Sequence, residues 1–427
     1  MSQAAERPAV TPLGAVTVAW LITSVYYFYQ YAMRSAPAVM VPQMSDAFGL
    51  TPVGIASLVG LFYYAYAPFS LVAGVAMDQV GPRAVIPLGA ATVAVGAFLF
   101  STGDPNLASI GRFMQGAGGV FALIGATYIV TTNFPASRAA TLIGATQMFG
   151  MAGGSAGQFI VGPAIAGGMQ WDSFWLIMGI IGIPIAILLF LFIPKRQKSA
   201  ARGNWLKDAG SAMWAVFRNP QSIICGLISG LIFIPTTIFD MVWGVSFLQE
   251  AHGMPYEVAV LRSAAVPFGW IIGCPLLGWI SDRIGRRKPV IIGGAIVLFL
   301  TMAAALFVPA GTFPPYSVAL VAGIASGAAM IPYTVIKEAN RPEHAGTATG
   351  VINFINFSFS AVLGPMFAAR LVRISGGDDR VLADYQATFQ PMLYGIALAI
   401  LLTLLLRETG TARRAPSIAT EPLTEAR

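Results

Sequence analysis

Stretches of about 20 mostly apolar residues, the length that crosses a hydrocarbon core of about 30 Å, recur along almost the whole chain and are separated by short breaks rich in Gly, Pro and charge. No water reaches a bilayer core, so every backbone N–H and C=O there must be satisfied within the protein. Stretches this long meet that demand as helices. Charged residues make up 10% of the 427-residue chain and hydrophobic ones 56%, against about 25% charged in a soluble domain. The sequence therefore predicts an all-α integral membrane protein with twelve transmembrane helices in two six-helix bundles. The expected spans are 13–40, 53–77, 84–102, 106–131, 139–166 and 172–193, then 221–248, 256–281, 289–308, 315–338, 345–372 and 387–406.

The expected domains are an N-terminal tail (1–12), a first bundle (13–193), a linker (194–220), a second bundle (221–406) and a C-terminal tail (407–427). The tail before the first span carries Glu6 and Arg7 and lacks a basic n-region, and the apolar run after it is too long for a signal peptide, so it reads as a retained span. Most Lys and Arg fall in loops on the side of the termini, including the linker run Lys195 to Arg218, whereas Arg370, Arg373 and Arg380 fall on the other. The positive-inside rule then places both termini in the cytoplasm of a bacterial-type inner membrane. The net charge of +7 is accounted for by this loop asymmetry, and no nucleic-acid partner is expected. Cys225 and Cys274 lie inside spans and read as packing residues.

The two halves repeat. "GVAMDQVGPR" (74–83) and "GWISDRIGRR" (278–287) follow the second span of each half, with Gly74, Asp78 and Gly81 recurring at one constant offset as Gly278, Asp282 and Gly285. A looser echo follows the fourth span, pairing Thr141 with Thr347 and Gly144 with Gly350. Internal repeats of this kind are common in transporters, where the substrate site lies near the midplane between the halves.

The loop pattern has a physical reading. Its glycines let two helices turn tightly, its aspartate can accept hydrogen bonds from a neighbouring helix N-terminus, and its arginines (Arg83 in the first copy; Arg283, Arg286 and Arg287 in the second) can hold carboxylates or carbonyls. A clasp of this kind suits a gate that forms and breaks. On this motif the chain resembles the major facilitator superfamily, and "GRFMQGAGG" (111–119), with Arg112, Gln115 and Gly116, is similar to that family's fourth-helix motif. The resemblance covers residues 13–406. It implies two bundles rocking about a central cavity, and a cytoplasmic gate at Gly74, Asp78, Gly81, Arg83, Gly278, Asp282, Arg283, Gly285 and Arg286. In the first copy Gln79 and Pro82 replace basic residues, so the two gate halves are expected to differ in strength.

Ionisable groups inside spans cost at least about 2.5 to 3.5 kcal/mol on insertion scales and are functional candidates by default. Here they are Arg34, Arg112, Asp240 and Arg262, each on the order of 10 Å to one side of its helix centre. Arg34 and Asp240 occupy repeat-equivalent positions with opposite sign. Tyr27, Gln30 and Tyr31 share Arg34's helix face; Thr236, Thr237 and Trp243 have helical spacing to Asp240, just after Pro235, which is expected to kink its helix. Gln147, Asn353 and Asn356 add polar groups unsuited to lipid. "YQYAMRSAPAVMVP" (29–42) also resembles the first helix of organic phosphate and organic anion transporters in the superfamily, an arginine there preceding a proline at the spacing of Arg34 and Pro42. That resemblance implies that Arg34 binds an anionic group, while Asp240 in place of a second arginine points away from a dianionic phosphate.

Expected substrate contacts are thus Arg34, Tyr27, Gln30, Tyr31, Asn353 and Asn356. Asp240 is the expected proton-coupling group, since the charge of a carboxylate in low dielectric depends on its partners. Arg112, Gln115, Arg262, Thr236, Thr237 and Trp243 stand between substrate and structural roles, with Arg112 assigned first to helix packing through backbone carbonyls. Lys337 and Glu338 read as snorkelling residues with a gate role in reserve. The Tyr63–Tyr66 cluster reads as packing and interface aromatics. The expected activity is secondary active transport of a small organic anion, most simply a carboxylate, coupled to protons, by a monomer in a lipid bilayer. Anion exchange, transport of a zwitterion, drug export and ligand sensing without turnover are the alternatives. No nucleotide-binding loop, nucleophile or metal constellation is present, so no enzyme, cofactor or metal is expected.

Overall fold

The computed structural model describes residues 13–50, 52–194, 205–309, 311–376 and 380–411; the expected N-terminal tail, residues 195–204 of the linker and residues 412–427 lie outside these. Every described element is a helix, and ten are long and apolar enough to cross a membrane. The long helices are α1 (Leu13–Ser35), α2 (Pro52–Gln79), α3 (Pro82–Phe100), α4 (Pro105–Asn133), α5 (Ala139–Phe159) and α6 (Trp171–Phe192). In the second half, α7 opens at Pro220–Ile234 and continues through π-helical turns over Pro235–Trp243 and Phe247–Ala251. It is followed by α8 (Tyr256–Ile284), α9 (Lys288–Phe307), α10 (Ser317–Ser326, the 3-10 turn Gly327–Met330, then Ile331–Glu338), α11 (Ala345–Ser375) and α12 (Leu382–Leu405).

The local sequence explains these limits. Pro52, Pro82, Pro105 and Pro220 stand at first helical positions, where a missing N–H costs nothing. Asp104 caps α4 by accepting from the N–H groups of Asn106 and Leu107 at 2.8 and 2.9 Å. α1 and α5 are as long as their neighbours but fall outside the set apolar enough to cross alone, because they carry the inward polar row of Gln30, Arg34 and Gln147. Both are shorter than expected. α1 stops at Ser35 and passes into the 3-10 turn Ala36–Val39 and the short helix Val41–Phe48, where Pro37 and Pro42 interrupt the ladder. α5 stops at Phe159, and Val161–Ala166 is a separate short helix.

Two other expectations change. Pro235 produces a nine-residue π-helix instead of a simple kink, and the hydroxyls of Thr236 and Thr237 both donate to the carbonyl of Phe233, at 3.0 and 2.9 Å. The linker contains a helix, Trp205–Arg218, that touches α2, α7 and α11.

Helices α1 to α6 pack chiefly on one another, as do α7 to α12, and the two sets meet along two seams, α2 on α11 and α5 on α8. Each seam is a backbone-to-backbone contact made possible by glycine. A Cβ on Gly74 would stand 3.1 Å from the Cα of Gly350, and one on Gly278 would stand 3.0 Å from the N of Thr141. The seams are the same contact by repeat, with the two halves exchanged. Replacing Gly278 with Val should leave a folded, monodisperse protein whose α5–α8 seam cannot close, so that uptake into proteoliposomes falls by about tenfold or more.

Candidate functional site

At the end of each seam a carboxylate of one half caps a helix of the other. Asp78, in the last turn of α2, accepts from the N–H groups of Gly346 and Thr347 at 2.8 and 2.7 Å and from the Thr347 hydroxyl at 2.6 Å, in the first turn of α11. Asp282, in the last turn of α8, accepts from Ala140 N, Thr141 N and Thr141 Oγ1 of α5 at 3.3, 2.8 and 2.7 Å. These N–H groups are among the four that a helix start leaves unsatisfied, and they carry the positive end of its dipole. Gly81 and Gly285 turn the chain just beyond with φ of 95° and 63°.

The basic residues of the two copies behave differently. Arg287 is buried between Asp282 at 2.6 Å and Glu338 at 2.8 Å, and it also donates across the seam to the carbonyl of Ala136. Arg83, its repeat counterpart, turns away to the Ile193 carbonyl at 3.3 Å within its own half. The position matching Glu338 is Thr132, so no carboxylate is placed there to hold it. Arg283 lies over the ring of its neighbour Trp279, and Arg286 is exposed; the buried arginine of the clamp is Arg287 alone among the three. Lys337 does not snorkel. It is buried and donates across the halves to the Thr127 carbonyl at 3.2 Å.

Further from the clamps, α1, α2 and α11 bring aromatic rings around Arg34. Its Cζ lies 4.6 Å from the centre of the Tyr31 ring, 4.9 Å from Tyr63, 5.1 Å from Phe357, 5.7 Å from Phe62 and 5.9 Å from Tyr66. Nε donates to the Tyr63 hydroxyl at 3.2 Å, and Nη1 is buried without a hydrogen-bond partner. Ring faces stabilise a cation without neutralising it, so the cage keeps the full charge available. Gln30, one turn earlier on α1, is buried with both amide atoms unpartnered. From the second half, Asn353 donates to Ser70 Oγ at 2.7 Å and accepts from the Tyr333 hydroxyl at 3.1 Å; Asn356 bonds the same hydroxyl at 3.3 Å and leaves its Oδ1 unpartnered. Tyr27 donates to Gln147 at 3.1 Å. Native proteins leave few buried polar atoms unpaired, so Nη1 of Arg34, the Gln30 amide and Oδ1 of Asn356 are available to bond a ligand.

Asp240 stands apart from Arg34. No ion pair joins them among the described residues; the carboxylate accepts from Ser263 Oγ at 3.2 Å, and its Oδ2 is unpartnered. Asp240 and Tyr31 line one cavity of about 100 Å³ where α1 and α5 face α7 and α8, so Tyr31 touches the surroundings of both charges.

The Major Facilitator Superfamily model matches residues 23–365. The chain belongs to the major facilitator superfamily. Over 377 residues it is 24% identical to the probable sulfoacetate transporter SauU of Cupriavidus necator, covering 83% of this chain and 86% of that one. It is 25% identical over 374 residues to the hexuronate transporter of Bacillus subtilis, covering 81% and 85%. The E. coli fucose:proton symporter FucP, solved in an outward conformation, superposes with a TM-score of 0.71 over 92% of this chain and 99% of its own at 15% identity, which shows a shared fold. The family is one of transporters, and both relatives named here are transporters and not enzymes.

Within this superfamily member the remaining candidates separate. Arg112 is fully buried and donates to the carbonyls of Val59, Met33 and Arg34 and to Gln115, while Gln115 donates to the Gly96 carbonyl. They tie α4 to α1, α2 and α3, with all three guanidinium nitrogens of Arg112 engaged in that packing. Thr237 and Trp243 leave the site, Thr237 bonding its own helix and Trp243 packing on Phe389 and Arg380. Thr236 and Arg262 line a second cavity with Asp240. The residues missed in the sequence are Tyr63, Tyr66, Phe62 and Phe357 around Arg34, and Tyr333, which bridges the two asparagines. Arg112→Leu should strip a charged donor from four acceptors and destabilise the protein by about 3 kcal/mol or more, read as a lower thermal unfolding midpoint in detergent. Arg34→Gln should leave that midpoint close to the parent's.

Proposed function

We propose that the chain crosses the inner membrane twelve times as two six-helix bundles, with cytoplasmic termini, and transports a small organic anion by alternating access coupled to protons. The observation that carries this reading is Arg34: a guanidinium held by rings instead of by a carboxylate, with a buried Nη1 that has no partner. Burying a charge without a counter-charge costs several kcal/mol, so the site is built for an anion that arrives and leaves. One arginine suits a monoanion such as a carboxylate. The named cargoes of the two transporter relatives, sulfoacetate and hexuronate, are organic anions, which supports the same class.

In this reading both clamps lie on the cytoplasmic side and are closed, so the cage is reached from the periplasm. The anion neutralises Arg34 and draws α1 and α2 towards α11. Protonation of Asp240 removes the opposing charge near Tyr31, and only the doubly loaded or doubly empty protein then has a balanced site able to rock. FucP, the fold neighbour, is named as a proton symporter, which is consistent with the coupling proposed.

The test is uptake by purified protein in liposomes, with a panel of radiolabelled monocarboxylates, dianionic phosphates, amino acids and sugars, with and without an inward proton gradient. A monocarboxylate should accumulate with the gradient. Arg34→Gln should cut its transport efficiency by about thirtyfold, the factor for a lost contact of about 2 kcal/mol. Asp240→Asn should abolish accumulation driven by the gradient and keep exchange of labelled for unlabelled acid. Uptake of a neutral or cationic solute that survives Arg34→Gln would contradict the anion assignment, and binding without any flux would make the protein a sensor.

A further inference from the structure

A second cavity, of about 160 Å³, lies wholly within the second half between α7, α8, α9 and α10, at the end away from the clamps. None of the residues around Arg34 lines it. Its walls are mostly apolar, with Phe239, Leu298, Met302 and Ala305 among them, but two charged side chains also face it, Asp240 and Arg262. No ion pair joins these two among the described residues, and each keeps an unpartnered buried atom, Oδ2 of Asp240 and Nε of Arg262. Asp240 Oδ1 is satisfied by Ser263. His252, also on the wall, does not supply the missing charge: burial and the nearby Arg262 push its imidazole below the usual histidine value, which leaves it neutral at pH 7.

A carboxylate and a guanidinium that share one apolar cavity without pairing each call for a counter-charge. A single ligand with an ammonium at one end and a carboxylate at the other meets both needs. The space fits a compact body, since an apolar cavity of about 150 Å³ accommodates benzene. We propose that this cavity is a second ligand site that takes a small apolar zwitterion of the amino-acid class, its ammonium on Asp240 and its carboxylate on Arg262. The site shares none of the residues around Arg34. Its occupant engages the carboxylate assigned to proton coupling, so it slows gradient-driven uptake without competing with the anion.

The experiment is equilibrium binding of L-[3H]leucine to the purified full-length protein, competed with 3-methylbutylamine, which keeps only the ammonium, and with 4-methylpentanoate, which keeps only the carboxylate. Leucine should bind saturably, and each half-ligand should compete about tenfold more weakly or worse. Arg262→Gln and the cavity-filling Ala305→Phe should each weaken binding by about tenfold or more, with monodispersity and thermal midpoint verifying that the variants are folded. Arg34→Gln should bind leucine within about twofold of the parent. The assignment is overturned if no saturable binding occurs up to millimolar leucine, if 4-methylpentanoate competes as well as leucine, or if folded Ala305→Phe binds normally. It is also overturned if binding is lost in Arg34→Gln, because the amino acid then occupies the anion site.

Discussion

Two carboxylates capping helices that belong to the opposite half organise this molecule. Asp78 holds the start of α11 and Asp282 the start of α5, each through two backbone N–H groups and a threonine hydroxyl. Hydrogen bonds to a charged group contribute about 1.5 to 3 kcal/mol each, and a helix end adds its dipole. That is strong enough to hold a seam shut. It remains reversible, because a carboxylate and a helix N-terminus are both well solvated once the seam opens. The glycines beside them are part of the same device, since only bare backbone lets the helices approach closely enough for the caps to form.

The clamps are symmetric in their aspartates and asymmetric in their cations. Arg287 links Asp282 to Glu338, and Glu408 and Thr409, just past α12, extend the network: Arg287 N donates to Glu408 at 2.7 Å and the Thr409 hydroxyl to Glu338 at 2.6 Å. Arg83 spends its donor inside its own half. The α5–α8 seam therefore has a buried arginine bridge that Arg83 does not provide for α2–α11. With the clamp ends shut, the charges above them are placed differently: Arg34 among rings contributed by both halves, Asp240 on the π-helical part of α7 between two cavities. A π-helical turn is a local excess of one residue over the α ladder, and such turns are common at functional sites.

Much of this was legible in the sequence for physical reasons. The clamp aspartates and glycines stand out because backbone approach and N-terminal capping admit few other residues, so the repeat preserves them. Arg34 and Asp240 stand out because a charge in hydrocarbon needs a reason. What was not legible depends on partners without a sequence signature. Lys337 looked like a snorkelling residue because its acceptor is the bare carbonyl of Thr127. The three arginines of the loop, Arg283, Arg286 and Arg287, read alike, and only packing selects Arg287. Four of the five rings around Arg34 come from α2 and α11, distant in sequence, and Tyr63 and Tyr66 are indistinguishable there from lipid-facing aromatics. Trp243, left between substrate and structural roles, packs on Phe389 and Arg380; spacing at 3.6 residues per turn could not decide between the two, because the π-helix does not keep it.

The most direct test of the clamp account is the distance across the α5–α8 seam, measured by double electron–electron resonance between spin labels at Ser137→Cys and Arg286→Cys, both exposed positions, with buried Cys225 and Cys274 left unlabelled. The account predicts one dominant short distance in the parent, and a shift of most of the population to longer distances when Asp78→Ala and Asp282→Ala are combined. An unchanged distribution in that double variant would mean that the seams close without their carboxylates, and would contradict the account.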